Sequence, residues 1–531
     1  MLCVIATSFT GCFGRKKSGE AFSMPIMDEP TSLDPQIADS NSEKLVAANC
    51  YEGLVRIMAD GTIGKGVATD WNISDDGLTY TFKLRNNSHW AMFSGHKAVL
   101  GENYEDTFDI TVKAEDFKFG IERTLSEQTG SADAPLFSAV KSISTPDDFT
   151  IVFNLSYADD NFLYALTNPG AMPCDEEFFN LTNGKYGLDA KYLLCNGPFH
   201  VSKWTEKTSV KLAKNNEYNG ESSVSPSSVT FYINNDDSEV ADKMNSVTYD
   251  VAFLLSSQFS SIENKKDLNS VAVQNVTYSF IFNQNDNNYR NKNMRLAFCR
   301  SCDTSTLFDS QSDISKADGI VPPSCKIGGE HSKCIGKKKI GGEDYRNGNA
   351  AELLSYDETL AKKNFNDALL ELGSSSVETT ILCTEQYEPF VKQMVQKLQK
   401  TLGVKFVSTV KVVSESDLEA AVNDGNYSVA FYPFKAKSSF AGEIIEGFDQ
   451  NNIFGYESDV LSQKIRNIKN NSGSLEGERS AVADAENYLV SEAVIMPVFY
   501  ENSYFVTSKK TSGIYFYSSA DNVCFINAKK S

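Results

Sequence analysis

A change of hydrophobic period near residue 350 constrains this chain more than any other feature. Beyond it, Ala361, Phe365, Ala368 and Leu372 share one helical face that stops at Gly373, and 377–382 then reads as a strand. Phe390, Val391, Met394, Val395, Leu398 and Leu402 form the next stripe, stopped by Gly403, and Val404, Phe406, Val410 and Val412 suit a second strand. Ser416-Asp-Leu-Glu419 has capping-box spacing at the start of another short helix, and 427–432 follows as a strand. A last helix at 475–493 places Val482, Ala485, Leu489 and Ala493 on one face before Met496-Pro497-Val498. Helix and strand in turn predict an α/β lobe. Before this point the period is two: Tyr80, Phe82 and Leu84 alternate with Thr79, Thr81 and Lys83, and Ile151, Phe153 and Leu155 do the same. These segments predict antiparallel strands, with another at 229–233 after the Ser-rich break around Pro226. No long linker separates the halves, so they are expected to pack together.

A chain of 531 residues that is 41% hydrophobic exceeds the size of one growing core, so two or three domains are expected. Its formal net charge of −20 repels phosphate backbones, which excludes nucleic acid as an expected partner. Beyond the first residues no uninterrupted apolar run approaches the roughly 20 needed to cross a bilayer.

Residues 2–9 are mostly apolar and lead to Thr10-Gly11-Cys12, followed by a polar stretch through Gly19. The pattern resembles the end of a bacterial lipoprotein signal, in which Cys12 is the lipid-attachment residue and 1–19 are signal remnant and tether. A frayed terminus with a chance Cys is the plainer alternative. Of the 11 cysteines, Cys325 and Cys334 bracket a Gly-containing loop suited to a disulfide; free thiols are the alternative. A zinc set built from these two with Cys299, Cys302 and His331 is the weakest reading, so no metal is expected.

The chain holds only four His, with no His-Glu-x-x-His, no Gly-x-Ser-x-Gly and no phosphate loop. His89 and His96, in an Asn/Ser/Gly-rich stretch, are expected to be solvated loop residues. Glu115-Asp116 and Glu176-Glu177 read as solvated faces or helix starts. An aromatic content of 11% suits a chain with a ligand cleft.

Several segments, in order along the chain, resemble the family 5 solute-binding proteins of ABC importers, the oligopeptide- and dipeptide-binding group. They are Glu29-Pro-Thr-Ser-Leu-Asp-Pro35, Asn49-Cys-Tyr-Glu-Gly-Leu-Val55, Ala68-Thr-Asp-Trp71, Ser74-Asp-Asp-Gly-Leu-Thr-Tyr-Thr-Phe-Lys-Leu-Arg85, Thr111-Val-Lys-Ala-Glu-Asp-Phe117 with Arg123, Asn196-Gly-Pro-Phe199, Phe282-Asn283, Arg295 with Asp303, Val321-Pro-Pro323 and Met496-Pro497-Val498. The resemblance implies a two-lobed α/β fold of the periplasmic-binding-protein type (type II, cluster C) with an additional third domain. It places one lobe at 20–56, 180–275 and 495–531, the extra domain at 57–179, and the other lobe at 276–494.

It further implies a binding lipoprotein, not an enzyme, that captures peptides or another small solute between the lobes by hinge closure. Its partners would be a membrane permease with separate ATPase subunits and, through Cys12, the membrane. No cofactor is expected. The protein would act as a monomer in the cell envelope, at the outer face of the cytoplasmic membrane or in the periplasm. The alternatives are a sensory or chaperone-like peptide-binding module and, further off, an extracellular hydrolase on the same scaffold. By match to family positions, Glu29, Pro30, Thr31, Ser32, Tyr278, Phe434, Lys437 and Tyr500 are expected to line the cleft. Lys437 stands where the family usually has an Asp that holds a ligand ammonium, so the ligand would present an anion or no charge there, or Lys437 is solvated. If Lys437 reads an anion, Lys437→Glu is expected to weaken ligand binding by about 1.5–3 kcal/mol in calorimetric titration, the scale of a charged hydrogen bond; unchanged affinity places it on the solvated surface.

Overall fold

The computed structural model describes residues 19–531 except 59–62, 160–161, 221–222, 305–313, 328–342, 345–348, 436–440, 450–451, 472–474 and 518–521. Cys12, His331, Cys334 and Lys437 therefore lie outside the described residues.

The predicted helices form where stripe and stop agree. Glu358–Leu372 is capped by Asp357 and ended by Gly373 at φ 64°, a left-handed turn that glycine adopts at no steric cost. Glu388–Leu402 ends at Gly403 with φ 76°. The next helix, Glu415–Asn423, is capped by Ser414, whose side chain accepts from Asp417 N, so the cap lies two residues ahead of the expected Ser416. Ser416 and Asp417 both sit inside the first turn; the earlier serine wins because its backbone is extended while its oxygen reaches the third helical amide.

Three larger sheets result. Ala21–Ile26 pairs parallel with Ser228–Ile233, which continues antiparallel through Ser209–Lys214 to Phe199–Thr205. Ala68–Ile73, Thr79–Leu84, Thr150–Leu155 and Val140–Asp147 form a second, wholly antiparallel sheet. These two sheets share one hydrophobic core, from Phe22 and Val229 to Phe82 and Phe153. The third sheet runs in the order Val251–Leu255, Ile495–Ser508, Leu268–Phe282, Val429–Lys435, Val377–Cys383, Phe406–Val412. Its last two pairings are parallel, as helix crossovers require.

Two strands of that sheet run from one core into another. Leu268–Phe282 gives Val273 to the first core and Phe280, Ile281 and Phe282 to a second built from residues 280–499. Ile495–Ser508 gives Ile495 to Phe499 to the second core and Phe505 to the first. Between these commitments the ladder slips twice, at Val273/Val276 and Tyr278/Ser279. A break in register loosens and twists the ribbon locally.

The Asp34 carboxylate takes both terminal nitrogens of Arg123, at 3.2 and 2.5 Å, while Gln36 Oε1 accepts from the same guanidinium at 2.6 Å. The guanidinium also lies 4.1 Å over the Phe179 ring. Arg123 comes from the helix Ala114–Leu125 beside the second sheet, so this pair ties that sheet's domain to the Glu29–Pro35 motif. His96 corrects the expectation of a solvated loop residue: it is 0% exposed, between Phe93 at 4.2 Å and Phe178 at 5.5 Å. The short Ser94–His96 turn folds it inward, and its Nε2 meets the Leu193 carbonyl at 3.1 Å. Burial first, with His200 adding to it, lowers its pKa from 6.5 to about 4, against the raising effect of the Leu193 contact.

Both features generate expectations for denaturation. Arg123→Leu leaves Asp34 buried without its bidentate partner and is expected to cost about 3–5 kcal/mol in urea unfolding; a loss below one kcal/mol contradicts that role. For His96, the unfolded imidazole takes its proton near pH 6.5 and the folded one near 4. Between these values the unfolded chain binds the extra proton, so stability is full above about pH 6.5 and falls as pH drops toward 4, by up to about 3 kcal/mol. His96→Gln is expected to flatten that limb of urea midpoint against pH; identical limbs in both proteins would remove His96 as its source.

Candidate functional site

The region where the two strands pass between cores is the place to look for a site, because the partly buried Tyr278 and Tyr387 there sit at the edge of the second core. Tyr278 lies opposite Phe499 and Pro433 in register, so the three share one face of the sheet. Its ring sits 5.0 Å from Phe499, 5.6 Å from Phe431 and 4.3 Å from Tyr387. Tyr387, in the turn before the helix Glu388–Leu402, donates its hydroxyl to Glu501 Oε1 at 2.6 Å. Glu501 pairs with Val276 on the same face, at the register break. Burial pushes both phenols up and the Glu501 carboxylate adds to it; for Tyr387 the neighbouring Tyr278 also contributes. The two phenols therefore stay neutral beside a carboxylate, an aromatic wall with an acidic end. Next to it Gln274 Nε2 donates to Ser315 Oγ at 2.9 Å and to Asn502 Oδ1 at 2.5 Å.

The other expected residues fall elsewhere. Thr277 pairs with both Phe434 and Tyr500, which places those two on the opposite face from Tyr278. Tyr500 is buried, and its hydroxyl accepts from Asp318 N at 3.1 Å and Gly319 N at 3.0 Å, holding that segment against the strand. Phe434 packs 5.1 Å from Phe448. In the first half, Glu29 Oε1 accepts from Lys207 N at 2.7 Å. Thr31 donates from its amide and its hydroxyl to Glu43 Oε1, both at 2.8 Å, and Ser32 Oγ accepts from Asp34 N at 3.1 Å. Glu43 completes the capping box of the helix Asn41–Cys50, so the loop Glu29–Pro35 is pinned to that helix start. Pro30 is buried and Thr31 exposed. The structure thus groups Glu29 to Ser32 in one half, groups Tyr278, Phe434 and Tyr500 around the crossing strands, and describes nothing at Lys437.

Residues 159 and 446 bring the halves within electrostatic reach of each other. Asp159 follows the strand Thr150–Leu155, and Glu446 ends the helix Ala441–Glu446 in the second core. Burial raises the Glu446 pKa; Lys469, 3.4 Å away, opposes this and Asp159 adds to it. Tyr387, Glu501, Glu446 and Asp159 carry no signal in the sequence, since each gains its meaning from a partner over a hundred positions away.

A cavity of about 280 Å³ lies elsewhere, in the first core, lined by Tyr51, Glu52, Arg56, Met172, Tyr218 and Ile526 among others. It includes none of the expected ligand residues and lies away from the crossing strands, so it does not mark the site. Among the described residues no three His, Cys, Asp or Glu gather as a metal site. The Cys325 side chain is buried, and its expected partner Cys334 is not described.

Comparison with known proteins gives this geometry a context. The sequence profile of the bacterial extracellular solute-binding proteins, family 5 (middle region), matches residues 62–454. The dipeptide-binding protein DppE of Bacillus subtilis (strain 168) is 24% identical over 509 residues, covering 92% of this chain and 88% of the relative. The probable D,D-dipeptide-binding periplasmic protein DdpA of Escherichia coli (strain K12) is 22% identical over 519 residues, covering 94% and 92%. Among solved structures, Listeria monocytogenes OppA bound to peptide superposes with a TM-score of 0.75 at 20% identity, covering 97% of this chain and all of that one. The Bacillus anthracis oligopeptide ABC transporter substrate-binding domain gives 0.74 at 19%, covering 96% and 98%. The fold is therefore the expected α/β, multidomain, type II periplasmic-binding-protein architecture. The match of that profile to 62–454, most of the chain, makes this protein a member of the bacterial extracellular solute-binding proteins, family 5.

Proposed function

We propose that the protein captures short peptides between its two halves and hands them, chemically unchanged, to a membrane permease driven by separate ATPase subunits. The observation that carries this reading is the pair of long strands, Leu268–Phe282 and Ile495–Ser508, that connect two separate cores with register breaks between them. Such a joint lets two rigid bodies rotate while each keeps its packing. The names of the relatives agree, one being called dipeptide-binding and one structure being described as bound to peptide.

In this reading the lobes are 20–56 with 180–275 and 495–531, and 276–494, with 57–179 as the third domain. Thr31 and Tyr278 face the ligand from opposite halves, Lys437 reads an anionic or neutral part of it, and Tyr500 and Phe434 shape the wall behind Tyr278. Backbone amides of an extended peptide supply affinity without regard to side chain, and hydrated pockets accept varied residues. The protein is not an enzyme, and Cys12 carries the lipid that keeps it at the membrane surface.

Thermal melting with a mixture of short peptides tests capture. At a hundredfold excess over the dissociation constant, linkage predicts about 2.7 kcal/mol of added stability, and an unmoved midpoint would sink the peptide reading. Small-angle scattering on the same samples tests closure: the radius of gyration is expected to fall when peptide binds. Binding with no such change leaves capture in place and removes the moving joint.

A further inference from the structure

The helix Asn41–Cys50 and a two-stranded ribbon, Val55–Ile57 with Ile63–Lys65, precede the sheet built from 68–155, and the chain returns at Cys195 just ahead of the strand Phe199–Thr205. These two cysteines stand at the exit and re-entry points of that excursion. The backbones beside them are fastened together. Gly197 N donates to Cys50 O at 2.8 Å, Glu52 N donates to Asn196 Oδ1 at 3.0 Å, and Asn196 Nδ2 donates to Glu52 O at 2.8 Å. A side chain at Gly197 would stand 2.6 Å from the Cys50 carbonyl carbon, so glycine alone lets the two segments meet this closely. Within this contact the Cys50 and Cys195 thiols, both free in this structure, are electrostatic neighbours, and both residues are almost wholly buried, at 0% and 2% exposure.

We propose that Cys50 and Cys195 form a disulfide in the exported protein, a covalent clasp that closes the base of the domain lying between them. The inference stands on the family's extracellular setting, where disulfides persist, and does not need the peptide reading. Each thiol gives up one proton and one electron as the sulfur–sulfur bond forms. The two electrons and two protons pass to the disulfide of an exchange partner, oxidised glutathione or an envelope dithiol oxidase, which leaves as two thiols. Because burial holds the Cys50 thiol far above its ordinary pKa, exchange in the folded protein is slow, and the bond forms while the base is still open during folding. Once made, it is shielded from reductant by the same packing. A crosslink across so long a stretch of chain removes much of the freedom of the unfolded state.

The test refolds the full chain from denaturant in a buffer of oxidised and reduced glutathione. The protein is then unfolded without reductant, its free thiols are alkylated with iodoacetamide, and it is digested for mass spectrometry. The expected result is a linked pair of peptides carrying Cys50 and Cys195, which separates on reduction. Recovery of both cysteines alkylated overturns the proposal, and so does either one linked to a different cysteine. As a second readout, Cys50→Ser, Cys195→Ser and the double variant are expected to share one lowering of Tm, by several degrees relative to the oxidised protein. Reduced wild-type protein should melt with them, and separate, additive losses would contradict a single bond. If the serine variants do not fold, peptide mapping of the wild type still decides.

Discussion

The antiparallel ladder between Leu268–Phe282 and Ile495–Ser508 is the constraint on which the rest depends. Both of its strands give residues to the first core and to the second. A hydrogen-bonded ribbon resists stretching and shear but can twist, and it twists most where register slips. The two slips fall after Val273 and after Tyr278, between the last residue given to one core and the first given to the other. Between the first slip and the second core's residues, Gln274 to Val276 are only partly buried, so the ribbon there is held by its ladder more than by packing.

The motif Glu29–Pro35 shows how packing fixes a loop. Its polar groups are spent largely on holding the loop: the Thr31 hydroxyl and the Thr31 and Ser32 amides on Glu43, the Ser32 hydroxyl on the Asp34 amide, and the Asp34 carboxylate on Arg123. Arg123 belongs to the domain between Cys50 and Cys195, so the shape of that loop is set from outside the lobe that carries it. A loop built this way is preorganised, since the groups that position it are largely buried and already satisfied. Arg295 plays a comparable part in the second core, where its guanidinium donates to the carbonyls of Tyr289, Arg290, Glu492 and Ala493 while Asp303 faces Lys397. Two arginines that the motifs singled out thus act as braces for backbone and loop.

Elements with a local cause were legible from the residues alone. Glu358–Leu372 and Glu388–Leu402 form where an apolar stripe meets a stopping glycine, and Thr79–Leu84 and Thr150–Leu155 form where alternation is strict. The reading failed where a side chain's fate depends on distant neighbours. His96 sits in a polar stretch yet is enclosed by Phe93, Phe178 and the Leu193 carbonyl, two of which lie more than eighty positions further along the chain. Likewise Tyr278 and Tyr500 belong to one expected set of residues, but pairing puts them on opposite faces. A strand's side chains alternate, and only the register says which position meets which.

Hydrophobic period, stopping glycines and the order of short motifs by themselves determined the succession of helices and strands, the α/β character of the second half and the family. These are properties of neighbouring residues, written into backbone preferences that act over one or two turns. The tertiary structure alone decided that residues 251–255 pair with 503–507, that Tyr387 meets Glu501, and that Cys50 meets Cys195. Such contacts are chosen by the combined burial of whole faces against the entropy of closing long loops, a balance that no local stretch of sequence records.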